Sequence, residues 1–182
     1  MDRVSDVRLS QLISHALRHH PDRYHIVLDE QGWVEIEDLT AGLNETLGYD
    51  LAVDEVLDII IFLGEERYSI IGSKVRADYG HTLPIIIDRE NVEPPEFLYH
   101  GTLPENIAGI KDKGLLKHNH QHVYLTSEAS FAFEAGARRG KSFVIKVNAS
   151  EAYKSGLKFY KATSIVWLAE DIPTKFLQFP EQ

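Results

Sequence analysis

The 182-residue chain holds 19 Lys and Arg against 28 Asp and Glu, a formal net charge of −9, and 43% of it is hydrophobic, enough for a core in one domain or in two small lobes. That balance argues against wrapping nucleic acid by bulk electrostatics, so any polyanion must be held by a local cluster; the absence of cysteine excludes a disulfide framework, a thiolate zinc site and a thiol nucleophile. No apolar run of signal-peptide length opens the sequence, and no stretch approaches the roughly 18 uncharged apolar residues of a membrane span, so a cytoplasmic location is the default expectation.

Leu9, Leu12, Ile13, Ala16 and Leu17 follow a helical apolar stripe that Pro21 stops, with His15, Arg18 and His19 toward the C-terminal end. "DEQGWVEI" places a Gly-centred turn between short extended pieces, and "EIEDLTAGL" restarts a helix. A third helix is predicted from about Asp54 to Leu63, with Gly64 suited to the left-handed position after its last turn. "RYSII" and "KVRAD" flank Gly72-Ser73 and predict a hairpin. Helices followed by a hairpin give an expected winged-helix-like lobe over residues 1–92.

Pro94-Pro95 punctuates the join to a second lobe, expected over residues 93–182. There "FLYHGT", "QHVYLT", "SFVIKV" and "TSIVWLA" read as strands, and "PENIAGIKDKG" as a helix closed by Gly114. "EASFAFEAGARR" reads as a further helix with Ser127 as its expected N-cap. Strands outnumber helices, so the fold class predicted for the whole chain is α+β, with a mixed sheet in the second half.

Several clusters could carry chemistry. Arg18 and His19 are adjacent and diverge by about 100° on an ideal helix, yet a fraying last turn lets both reach one site; the alternative is that cations there simply complement the helix dipole. His118, His120 and His122 alternate as metal ligands on one strand face would, against a solvated His-rich loop as the plainer reading. In "YHGT", His100 could bond a ligand hydroxyl while Gly101 admits close backbone approach. "GARRGK" offers Arg138 and Arg139, and "VRADYGHT" sets Arg76 and His81 about a Gly80 turn.

The order of these blocks, LRH, GW, an Arg before an aromatic in "ERY", RAxxGH, YHGT, HVYL, GxRxG and VWL, resembles the RNA 2′-phosphotransferase family known as Tpt1/KptA, from about Leu9 to Phe179. The resemblance implies an N-terminal winged-helix-like lobe and a C-terminal ADP-ribosyltransferase-like lobe. It further implies an NAD⁺-dependent enzyme that removes an internal RNA 2′-phosphate of the tRNA splice-junction type. In the implied reaction the 2′-phosphate displaces nicotinamide to form an RNA-2′-phospho-ADP-ribose adduct, which resolves into 2′-OH RNA and ADP-ribose 1″,2″-cyclic phosphate, with no metal. The family's four catalytic side chains fall on Arg18, His19, Arg67 and Arg138, the last chosen over Arg139 because Gly136 sets the register. NAD⁺ contacts fall on Tyr99, His100, Gly101, Thr102, Tyr124, Ser127 and Val166. RNA bearing a 2′-phosphate and NAD⁺ are the expected partners, the chain acting as a monomer with no membrane contact. Three departures from the family pattern stand out: Tyr124 stands where a histidine is usual, His120 where an arginine is common, and Ser164-Ile165 where asparagine-glycine is common.

Three other readings share parts of this pattern, one of them a metalloenzyme built on the His118, His120 and His122 cluster, which activity insensitive to chelator would exclude. A winged-helix DNA-binding regulator would want a basic third helix, whereas "VDEVLDIIIFLG" is acidic and apolar. An ADP-ribosyltransferase acting on nucleic-acid terminal phosphates or other acceptors would share the second lobe. Those that modify protein side chains generally carry a glutamate near the last core strand, and "TSIVWLA" has none before Glu170.

Overall fold

A computed structural model describes residues 4–64, 66–138 and 140–180. The chain divides into two compact units, Met1–Asp88 and Arg89–Gln182, with the division falling before the boundary expected after residue 92.

In the first unit, α1 spans Asp6–Arg18, its start fixed by Ser5, whose hydroxyl accepts the Arg8 N–H at 3.3 Å. The apolar stripe read from the sequence is the buried face: Leu9, Leu12, Ile13, Ala16 and Leu17 all lie in the core. A short 3₁₀ turn, Pro21–Tyr24, leads to β1 (Val34–Glu35), α2 (Ile36–Leu47) and α3 (Val53–Phe62). The expected hairpin follows as β2 (Tyr68–Ile71) and β3 (Lys74–Ala77), and β3 also pairs with β1, giving an antiparallel sheet of order β1-β3-β2. Ile13, Leu17, Leu39, Leu43, Val56 and Val75 are shut off from solvent where the three helices meet the sheet.

The turn after α3 differs from expectation. Gly64 does not take the left-handed conformation; Glu66 does, at φ 61°. Gly64 is needed for space instead, because a Cβ there would lie 2.3 Å from the Ile60 carbonyl oxygen and 2.5 Å from the Tyr68 ring. The chain thus folds tightly over the end of α3 and delivers Arg67 and Tyr68 to the start of β2.

The second unit is built on an antiparallel sheet of order β7-β8-β5-β4-β6-β9, formed by β4 (Phe97–Thr102), β5 (Val123–Thr126), β6 (Phe143–Asn148), β7 (Phe159–Lys161), β8 (Val166–Ala169) and β9 (Leu177–Gln178). The helices α4 (Ile107–Lys113), α5 (Ala129–Ala137) and α6 (Ala149–Lys154) connect these strands. Leu98, Ile145, Val147, Phe159 and Ile172 are among its fully buried apolar residues. The whole is a mixed α+β structure with two antiparallel sheets.

Two local expectations are corrected here. Ser127 is not the N-cap of α5; Glu128 is, and its N–H donates to Thr126 Oγ1 at 3.1 Å. His118, His120 and His122 do not share a strand face, because β5 begins only at Val123 and His118 sits in a turn with φ 48°. No helix among the described residues is long and apolar enough to cross a membrane.

Candidate active site

Arg18 is the last residue of α1 and His19 its C-cap. The helix end leaves the Arg18 carbonyl without an intrahelical donor, and a segment distant in sequence supplies one: the Thr82 N–H donates to it at 3.0 Å. Thr82 Oγ1 also lies 3.1 Å from His19 Nδ1. The Arg18 side chain runs along Gly80, and its guanidinium carbon stands 5.0 Å from the Tyr79 ring centroid and 5.6 Å from that of Tyr68. Two tyrosine faces can each contribute about 0.5–1 kcal/mol of cation–π attraction and restrict the guanidinium's rotation. Its Nε and Nη2 are nevertheless enclosed with no acceptor. A cation removed from water without a counter-ion is costly, and an anion is what relieves it.

The segment 78–82 that performs this clamping is itself anchored in the sheet. Asp78 is 4% exposed, accepts the Ser69 hydroxyl at 2.7 Å and lies 3.5 Å from Arg76 Nε, while its N–H donates to the Arg67 carbonyl at 2.9 Å. Arg76 in turn stacks over Trp33 at 4.5 Å. Removing one partner of such an enclosed ion pair costs about 3–5 kcal/mol. Arg67, at the foot of β2, is half-buried, and its Nη2 donates to the Leu63 carbonyl at the end of α3. Thus Arg18, His19 and Arg67 belong to one connected region, bound through Asp78, Tyr79 and Thr82.

On the same helix, His15 Nδ1 lies 3.0 Å from the Tyr24 hydroxyl, and burial, aided by His20 and two arginines, holds its pKa below the usual value. The groove of about 180 Å³ lined by Val4, Asp6, Leu9, Leu51, Glu55, Asp58 and Ile59 is at the other end of α1, and its carboxylates suit no phosphate.

In the second unit the expected NAD⁺ residues gather on three adjacent strands. Thr126 of β5 is in register with Tyr99 of β4 on one side and Val166 of β8 on the other. Ser127 follows directly, its N–H donating to the Ile165 carbonyl at 2.9 Å. His100 Nδ1 lies 2.9 Å from the Tyr124 carbonyl oxygen, which can only accept, so Nδ1 carries the proton. Burial lowers the His100 pKa, opposed by that hydrogen bond, so the ring is neutral at pH 7 and its Nε2 is an acceptor. Tyr124 turns its ring edgewise to His120 at 5.6 Å.

Gly101 admits a close backbone approach, and the backbone that makes it is that of α5: a Cβ on Gly101 would lie 1.8 Å from the Ala132 carbonyl oxygen. Gly136, farther along α5, abuts Thr102 and Ser142 in the same way. Through these contacts α5 is seated on β4, and Arg138, its exposed C-cap, is carried just past Gly136. Arg139 lies outside the described residues.

A family model described as RNA 2′-phosphotransferase, Tpt1/KptA family, matches residues 4–171. The chain belongs to the Tpt1/KptA family. A probable RNA 2′-phosphotransferase of Acetivibrio thermocellus is 40% identical over 174 residues, covering 94% of this chain and 96% of that one. One of Bacillus thuringiensis subsp. konkukian is 37% identical over 93% of this chain and 92% of its own. A third, of Streptomyces coelicolor, is 32% identical over 99% of this chain and 98% of its own. For this Tpt1/KptA family member the sequence named Arg18, His19 and Arg67, but not the residues that hold them. Tyr68, Tyr79 and Thr82 are separated from α1 by some fifty residues or more; the signal for Tyr68 was the aromatic in "ERY", and that for Tyr79 and Thr82 the Asp-Tyr-Gly-His-Thr turn after a strand.

Proposed function

We propose that this chain transfers an internal RNA 2′-phosphate to NAD⁺, leaving a 2′-OH on the RNA and yielding ADP-ribose 1″,2″-cyclic phosphate and nicotinamide. The observation that carries the reading is the Arg18 guanidinium, enclosed between Tyr68 and Tyr79 with Nε and Nη2 lacking any acceptor, beside His19. In a Tpt1/KptA family member, that is a group prepared for a phosphate. The element order of the first unit, with its three-stranded sheet β1-β3-β2, supports reading it as a winged-helix lobe, and we read the second unit as the ADP-ribosyltransferase-like lobe.

The phosphate is assigned to Arg18 and Arg67 of the first unit, whose planar forks neutralise its charge without themselves losing a proton, and Arg138 of the second unit keeps the catalytic role that the family resemblance gives it. His19 is assigned to orient a ribose hydroxyl and exchange its proton. NAD⁺, consumed as co-substrate, supplies an electrophilic anomeric carbon and a neighbouring hydroxyl. The residues of the second unit fit such a group: neutral His100 presents an accepting Nε2 for a ribose hydroxyl and Ser127 adds a hydroxyl, while Thr102, also assigned to NAD⁺, is buried and accepts the Asn106 side-chain amide at 3.3 Å. The phosphate arginines act most strongly where charge builds on the phosphate oxygens as it becomes the electrophile.

The test follows the labelled phosphorus. With RNA carrying ³²P at an internal 2′-phosphate, the label should end in ADP-ribose 1″,2″-cyclic phosphate and never as inorganic phosphate. An ADP-ribose cap left permanently on RNA terminal phosphates, with the internal 2′-phosphate untouched, would favour the terminal-phosphate ADP-ribosyltransferase instead.

A further inference from the structure

Thr82 is placed to decide which nitrogen of His19 holds the proton. Its backbone N–H donates to the Arg18 carbonyl at 3.0 Å, fixing the residue against the end of α1. From that position Oγ1 reaches two groups, the same Arg18 carbonyl at 3.5 Å and His19 Nδ1 at 3.1 Å. A threonine hydroxyl has one proton to donate and lone pairs to accept with. The carbonyl oxygen can only accept, whereas Nδ1 can do either according to tautomer. If the hydroxyl proton went to Nδ1, the set would hold one hydrogen bond from this side chain. If the proton goes to the carbonyl, Oγ1 accepts from an Nδ1–H and the set holds two. The Arg18 carbonyl already accepts the Thr82 N–H, and its second lone pair is open to the hydroxyl in this arrangement.

We infer that Thr82 is a positioning residue that holds neutral His19 in its Nδ1–H tautomer, so that Nε2 carries the lone pair that takes a proton from a ribose hydroxyl. The tautomer follows from geometry within the first unit alone; its part in the reaction rests on the transferase reading above. The arrangement parallels His100, whose Nδ1–H is likewise committed to an oxygen and leaves Nε2 as the acceptor. Thr82 itself touches no reacting atom. It acts through the ring it orients, and the orientation is shared with Arg18 because one residue bonds both.

The experiment is two-dimensional ¹⁵N NMR of the histidine rings in the full chain, at a pH where imidazoles are neutral, with the His19 signals identified by their loss in His19→Gln. Wild type and Thr82→Ser should show His19 with the proton on Nδ1. Thr82→Val, of equal shape without the hydroxyl and at an exposed position, should shift it toward Nε2–H. In turnover, Thr82→Val should lose about tenfold in kcat with KM unchanged, and Thr82→Ser should recover most of it. A His19 already in the Nε2–H form in wild type, which needs no variant to detect, overturns the proposal. So does an unchanged tautomer in Thr82→Val. A wild-type chain with the stated tautomer but no transfer of 2′-phosphate to NAD⁺ would sink the transferase reading while sustaining the tautomer assignment.

Discussion

Arg18 shows how a single residue can be poised at a cost that only a ligand offsets. Its neighbours are aromatic rings and a glycine, which restrict the guanidinium without supplying an acceptor to Nε or Nη2. A lysine would bring the charge but neither the planar stacking on Tyr68 and Tyr79 nor a fork for two phosphate oxygens. Arg18→Lys is therefore expected to lose about a hundredfold in kcat/KM, nearly as much as Arg18→Ala, while His118→Ala, at an exposed position in a turn, stays within about twofold. Steady-state kinetics on 2′-phosphorylated RNA checks both; near-normal turnover in Arg18→Lys would remove Arg18 from the phosphate. The sequence exposed Arg18 and His19 because a charged pair at the end of an apolar stripe is visible in one dimension. It could not expose Tyr68, Tyr79 or Thr82 as their partners, since those contacts come from the start of β2 and from the segment after β3 meeting the helix end, and leave no periodic trace.

Among the elements, α5 is defined less by its own propensity than by what it rests on. Ala132 and Gly136 bring its backbone against Gly101 and Thr102 of β4, and this contact seats the helix that carries Arg138. Gly101→Ala would put a Cβ into a backbone carbonyl, which cannot rotate aside as a side chain would, so overpacking should lower stability by about 1–3 kcal/mol or more. A thermal melt should show the loss, and Gly109→Ala, at a position where an added Cβ meets nothing within 4 Å, serves as control. Equal stability of the two variants would contradict the packing. Element types were legible in sequence where periodicity was sustained, as in α1, α3, β4 and β6. Boundaries failed where side-chain competition decides them: Ser127 resembles an N-cap, but Thr126 supplies the hydroxyl and shifts α5 by one residue. Short β7 and β9 and the single turn and a half of α6 carry too few residues for a pattern, and only pairing with neighbouring strands or packing defines them.

For the molecule as a whole, the charge balance and the histidines set how stability responds to acid. His100 and His122 in the second unit both have pKa values lowered by burial. A group whose folded pKa lies below its unfolded value binds fewer protons in the native state, so its penalty is absent above the usual imidazole value of about 6.5 and grows as pH falls through it. Stability should therefore decline below about pH 6.5, and His100→Asn, which keeps a donor toward the Tyr124 carbonyl but cannot titrate, should flatten that decline. Denaturant midpoints measured between pH 7.5 and 5 check this; a decline of the same slope in the variant would show that other groups govern it.

At the same scale, the proposed function asks a chain of net charge −9 to hold its anion through a few guanidiniums rather than a broad basic surface. The most direct measurement incubates the chain with RNA bearing an internal 2′-phosphate, with and without NAD⁺, in the presence of EDTA, and counts nicotinamide released against 2′-phosphate removed. The account predicts no removal without NAD⁺, unimpaired removal in EDTA, and one nicotinamide for each phosphate. Removal that proceeds without NAD⁺ and liberates inorganic phosphate would contradict it.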